Sequence, residues 1–274
     1  MSGAQLDLFE GSSTAPAAAT QPAAEPRVDV EALSDAELIS ALSQAGLHES
    51  LTLVHEIARR RLASGVPALA ALCLRHAGFG RSRVVPEQKD AIEALGIIGG
   101  REASQALARL IDRGAFEGPG LKGALQEAVR LASPLPEPLV TNLLGADDPD
   151  IRAAAARCVR TWPKCAPLLI ELLQDLHEDV RLATACALGR IGIGACRPVL
   201  LNALRKQPSR DVVEAIAGVP DEEVLVLLGR TAETRQDLAG LIGNLLEDID
   251  DPLAAKIAAR IRSRHGLRGL GDRR

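Results

Sequence analysis

The sequence repeats itself at intervals close to 30 residues, and this constrains the fold more than any other feature. Asp179-Val180-Arg181 follows Asp150-Ile151-Arg152 by 29 positions, and each triplet opens an alanine-rich apolar stretch. Gly120-Leu121-Lys122 stands 30 positions before the earlier triplet, in the same relation to Ala124 through Val129. Leu188-Gly189-Arg190-Ile191-Gly192 has a close copy in Leu95-Gly96-Ile97-Ile98-Gly99, displaced by 93 positions. Pro138, Pro167 and Pro198 keep steps of 29 and 31. A fixed period of this length marks stacked supersecondary units, each hiding its apolar side against its neighbours.

The residue types say which unit is stacked. Hydrophobic residues make up 47% of the chain and are nearly all Ala, Leu, Ile and Val; aromatic residues are 1%, namely Phe9, Phe79, Phe116 and Trp162. Alanine and leucine favour helix, whereas strands favour β-branched and aromatic residues, so the units are helical hairpins. Ser34 and Glu37 form a capping box ahead of Leu38, Ile39 and Leu42. Leu51, Val54, Ile57, Ala58 and Arg61-Leu62 predict a helix over about 50–64. Gly65-Val66-Pro67 breaks it and starts another, running to about His76, and the Gly and Pro of 78–86 predict a loop. Asp148-Pro149 and Asp251-Pro252 read as helix starts, with Asp as the cap and Pro in the first turn. Gly189 and Gly192 are expected to end or loosen the first helix of their unit. In each unit the first helix opens on the Asp-x-Arg triplet, while the second carries leucine pairs such as Leu168-Leu169, Leu172-Leu173 and Leu200-Leu201. The last helix is expected over 252–264.

From Gly11 to Arg27 the chain is Ser, Thr, Ala, Pro and Gln without a periodic apolar face, which cannot offset the entropy of ordering. The expected organisation is a disordered tail over 1–30, an all-α, right-handed solenoid of roughly seven hairpins over 31–265, and a frayed basic end over 266–274. The run from Glu178 to Gly192 resembles the short HEAT-like repeat, the class that includes repeats related to phycobilin lyases. The resemblance covers roughly 85–265, with 34–80 as degenerate leading units. It implies a stack of helical hairpins that builds binding scaffolds.

Composition narrows the function classes. The formal charge of −4 gives the molecule as a whole no attraction for polyanions. No run of 18 apolar residues exists to cross a bilayer, and the N-terminus lacks the order of a secretory signal. Cys73, Cys158, Cys165, Cys186 and Cys196 are odd in number and show no Cys-x-x-Cys spacing. They read as small buried hydrophobes in a reduced, cytoplasmic setting.

A second motif lies near the start. Gln5-Leu6-Asp7-Leu8-Phe9 is similar to the pentapeptide Gln-Leu-(Ser/Asp)-Leu-Phe, by which bacterial proteins dock on the DNA polymerase sliding clamp. The resemblance implies that Leu8 and Phe9 enter an apolar pocket, Leu6 fills its edge and Gln5 anchors the near end through its amide. A few buried anchors of this kind dominate the affinity of an interface. Residues 11–30 would then act as a leash between clamp and solenoid.

Other constellations read as structure. His48-Glu49, His55-Glu56 and His177-Glu178 evoke deoxyhypusine hydroxylase, a HEAT-like enzyme that holds two irons with His-Glu dyads. Two of these pairs fall seven residues apart, the third lies in a turn, and no fourth exists, so they read as a solvated helix face and a turn. Arg59-Arg60-Arg61, Arg75-His76, Arg81 and Arg83 form one basic cluster, and Arg260, Arg262, Arg264 and Arg268 another. HEAT-like DNA glycosylases use such residues with aromatic side chains. With no Tyr and one Trp, base stacking has little to work with, so these arginines read as a solvated face. The recurrence of Asp150/Arg152 and Asp179/Arg181 at the repeat period points to bonds between adjacent units and to helix capping. Cys158 and Cys165 read as core, with no nearby His to activate a thiolate.

The expected function is therefore a non-enzymatic adaptor without metal or cofactor, whose partners are proteins, the sliding clamp among them. Direct contact with nucleic acid is expected to be weak or absent. The competing expectation is a HEAT-like maturation factor or lyase that handles a cofactor or client, with the tail incidental. A third expectation is a generic scaffold whose partner lies on the concave second-helix face, where Arg197, Arg205, Lys206 and Lys256 would present charge.

Overall fold

The computed structural model describes residues 29–80, 82–159 and 163–265. These residues form fifteen α-helices and no strand. They are α1 (Asp35–Gln44), α2 (Leu47–Arg59), α3 (Val66–Arg75), α4 (Pro86–Ile98), α5 (Gly100–Asp112), α6 (Gly118–Arg130), α7 (Glu137–Leu144) and α8 (Pro149–Cys158). Then come α9 (Ala166–Leu172), α10 (Glu178–Arg190), α11 (Arg197–Lys206), α12 (Arg210–Ala217), α13 (Glu222–Thr234), α14 (Gln236–Glu247) and α15 (Pro252–His265).

The even-numbered helices make one continuous layer, in which each packs on the next from α2 to α14. The odd-numbered helices make a second layer. It is closed at its two ends, where α1, α3 and α5 adjoin and α11, α13 and α15 adjoin, while α7 and α9 rest mainly on α8 and α10. The molecule is thus an all-α solenoid of stacked HEAT-like hairpins, seven of them among the described residues, with α1 as a leading half-unit. One core of Leu, Ile, Val and Ala runs its whole length; α8 and α10 contribute Ala153 to Ala156 and Ala183 to Leu188, all buried. Small side chains all round these two helices let both neighbours approach closely. No helix among the described residues is long and apolar enough to cross a membrane.

Several expected local signals are realised. Ser34 and Glu37 make the capping box, with the Glu37 carboxylate accepting from the Ser34 amide at 2.8 Å. Asp148 accepts from the Asp150 amide at 2.8 Å, and Asp251 from the amides of Leu253 and Ala254. Proline stands in the first turn of α3, α8 and α11, where a missing amide hydrogen costs nothing.

Four expectations are corrected. The helix expected over 50–64 runs from Leu47 to Arg59, because Arg61 takes a left-handed φ of 53° that no helix continues through. Gly189 neither ends nor loosens α10; it lies buried inside the helix, where a Cβ would overlap the carbonyl oxygen of Ala215 on α12. Gly192, at φ 80°, is the residue that turns the chain. The aspartates of the triplets are not caps: Asp148 caps α8, His177 precedes α10 without a side-chain capping bond, and Asp150 pairs with Lys122 instead.

The arginine row at 59–61 is the fourth. Arg60 is not a solvated side chain; it pairs with Glu56 and with Asp35 at 3.0 Å, and donates to the carbonyls of Leu33 and Glu31 at 2.8 and 2.9 Å. It straps the leading segment onto the end of α2. The variant Arg60→Ala is expected to accelerate amide exchange across 30–44 by about tenfold or more, leaving α8 to α12 unchanged. Hydrogen-exchange mass spectrometry reads this directly, and uniform protection of 30–44 would refute the strap.

Candidate functional site

Because even-numbered helices run parallel, the turns that lead into them collect along one edge. Each arginine of the repeated triplet reaches back to such a turn. Arg152 donates to the carbonyls of Ala146 and Asp147 at 2.7 and 2.8 Å, and Arg181 to those of Asp175 and Leu176 at 2.7 and 3.0 Å. These carbonyls belong to the turns that follow α7 and α9, and a fixed guanidinium satisfies two at once. The triplet is therefore a turn clamp, in agreement with the structural role expected of it.

The turn over 175–177 is held more tightly than the others. Arg152 also crosses to it from the preceding unit, with Nε and Nη2 donating to the Asp175 carboxylate at 2.9 and 3.1 Å. The same carboxylate accepts from the His177 amide at 2.8 Å. Both partners of the ion pair are largely shielded from water. The Arg152 guanidinium, above all, holds the Asp175 carboxyl down at about 2, below its usual range.

Beside this turn lies a groove of about 860 Å³ between α10 and α11. Leu182, Val199 and Ala203 form its floor, and Glu178, Asp179 and Lys206 stand on its rim. Leu176, at the tip of the turn, is 92% exposed and adjoins that rim. Phe79 and Val84 in the loop before α4 are also exposed, and Val84 lines a smaller cleft of about 230 Å³ between α4 and α6.

The other sequence candidates take up separate places. Gln5, Leu6, Asp7, Leu8 and Phe9 lie outside the described residues, as do Arg81, Trp162 and Arg268. His55 Nε2 donates to the Asp90 carboxylate on α4 at 3.0 Å, across units. Glu56 is not on a solvated face: it is 7% exposed, and the guanidiniums of Arg59 and then Arg60 hold its carboxyl at about 2. His177 meets Asp175 at 3.3 Å, far along the chain from the other two pairs. Among the described residues no three His, Cys, Asp or Glu side chains converge on a point that could hold a metal ion.

All five cysteines are buried, and burial pushes the thiols of Cys73, Cys186 and Cys196 up to about 12, 11 and 11. Arg75 donates to the carbonyls of Ala45 and Ser43 that end α1. Arg260 pairs with Glu233 and Arg262 with Glu247. Of the cations expected to decorate the second-helix face, Arg197 pairs with Asp221 and Arg205 with Glu223, while Lys206 and Lys256 remain exposed.

Two functional-looking residues escape a reading by motif. Gln88 is buried and its amide donates to the carbonyls of Cys73 and Ala115, joining three successive units. Leu176 carries no motif at all. Its signal lies in the period, because the equivalent turn positions hold Asp147 and Pro208, neither of them a large exposed hydrophobic side chain.

The turn clamp recurs with the period in the middle of the chain. Residues 136–219 match the family model of HEAT repeats. These HEAT repeats span α7 to α12, the stretch with the most regular spacing. Among solved structures, the chain is similar to the complex of CpcE and CpcF of phycocyanin lyase from Nostoc sp. PCC7120. That likeness is 17% identical with a TM-score of 0.49, and covers 91% of this chain and 100% of that one. YibA of E. coli is 15% identical with a TM-score of 0.38, over 87% of this chain and 94% of that one. A search of curated proteins finds no match.

Proposed function

We propose that this chain is a non-enzymatic, protein-binding scaffold whose segment Gln5 to Phe9 docks on the bacterial DNA polymerase sliding clamp. The solenoid then carries a second protein to replication or repair. The sequence Gln5-Leu6-Asp7-Leu8-Phe9 carries the clamp reading, since it supplies in five residues the amide anchor, the edge leucine and the paired apolar plug. The scaffold reading rests on the HEAT-like hairpins. Their recurring charged groups bind turns and neighbouring units, and their long second-layer face and edge grooves offer extended surface to macromolecules.

The test is fluorescence anisotropy of a peptide of residues 1–20 against purified clamp, alongside the same peptide with Leu8→Ala and Phe9→Ala. Loss of both anchors should weaken binding by about 30-fold or more, corresponding to about 2 kcal/mol. Equal affinity of the two peptides would refute the docking.

A further inference from the structure

Leu176 is the most exposed of the large hydrophobic residues described, yet its backbone is among the most firmly held. Arg181 grips its carbonyl and that of Asp175, and Arg152 grips the Asp175 side chain from the previous unit. The repeat places Asp147 and Pro208 at the equivalent positions, neither of them a large exposed hydrophobic side chain. A leucine presented on a preorganised tip has already lost the freedom that binding would otherwise remove, which is the condition for an anchor residue.

The surface next to this anchor is the α10–α11 groove, in which the apolar side chains of Leu182, Val199 and Ala203 are flanked by polar and charged residues. Its rim carries both signs of charge, Glu178 and Asp179 from α10 and Lys206 from α11, and none of the three enters an ion pair among the described residues. Knob and hollow, acid and base, thus lie side by side on one patch. That is the pattern a two-fold axis requires, because in an isologous contact whatever one copy offers the other must receive.

We propose that this face joins two copies of the chain, with Leu176 of each seated in the α10–α11 groove of the other. Glu178 and Asp179 of each copy then face Lys206 of the second. Continuity of the anchor with its own receptor favours a second copy over an unrelated protein, which would need only one of the two. This inference does not depend on the clamp-docking segment.

Sedimentation equilibrium of the full chain across the micromolar range is expected to show a monomer–dimer equilibrium. Leu176→Asp keeps the fold, since Asp147 occupies the equivalent turn, and is expected to raise the dimer dissociation constant by about 30-fold or more. Lys206→Glu should weaken the dimer, and adding Glu178→Lys with Asp179→Lys should restore it. A chain that stays monomeric overturns the proposal. So does a dimer indifferent to Leu176→Asp while circular dichroism shows native helix, or a charge swap that fails to restore association.

Discussion

Gly189→Ala is expected to destabilise the protein by about 3 kcal/mol, at the upper end of what overpacking usually costs. The position lies where α10 crosses α12 with nothing between the backbones. A Cβ on Gly189 would overlap the Ala215 carbonyl, and one on Gly218 would overlap the Gly189 carbonyl in return. Neither partner can swing aside, since both are main-chain atoms within or at the ends of packed helices. Relief requires α10 and α12 to part, which opens the layer that every unit shares. Gly96 holds the same place in the related motif near the front, but a Cβ there meets the side-chain ends of Glu127 and Arg130. Those can rotate away, so Gly96→Ala should cost clearly less. Gly123 in α6 and Gly240 in α14 have nothing within 4 Å of a Cβ, and alanine there should stabilise by about 0.5–1 kcal/mol through helix propensity. Urea denaturation of the four variants decides the matter; if Gly189→Ala is no worse than Gly123→Ala, the backbone contact is absent.

This contrast shows what the sequence could and could not convey. The period was legible because the same apolar spacing and the same Asp-x-Arg triplet recur, and both are local patterns. That Arg152 and Arg181 serve structure followed from their recurrence, but the acceptors did not, because the clamped carbonyls belong to turns whose shape no side chain announces. Gly189 reads locally as a helix breaker; its role comes from a neighbour 26 residues away. Glu56 reads as half of an exposed dyad, and only the fold of Arg60 back over it, with the strand of chain before α1, removes it from water. Leu176 carries no motif, and neither its exposure nor the rigid turn behind it is announced by the residues around it. The pentapeptide at Gln5 to Phe9 is read from sequence alone, and its proposed receptor is another molecule.

The second large effect is expected at Asp175. Removing its carboxylate with Asp175→Ala leaves Arg152 facing two carbonyls and no counter-charge, in a site where both side chains are largely enclosed. Breaking a buried ion pair by deleting one partner costs about 3–5 kcal/mol, and the nearby solvent at this edge places the loss nearer 2–3 kcal/mol. The His177 amide loses its acceptor as well, so the turn and the first residues of α10 loosen together. The effect should depend on pH with a definite sign. The folded carboxyl titrates at about 2, below its ordinary value of 3.8, so the native state binds the proton less readily than the unfolded chain. Its contribution is therefore complete above about pH 4 and fades as the pH falls through 2. Unfolding free energies of the wild type and Asp175→Asn, measured at pH 6, 4, 3 and 2, should accordingly differ most at the top of that range and converge at the bottom. A difference that stays constant down to pH 2 would mean that the carboxylate's charge plays no part, and that only its shape holds the turn.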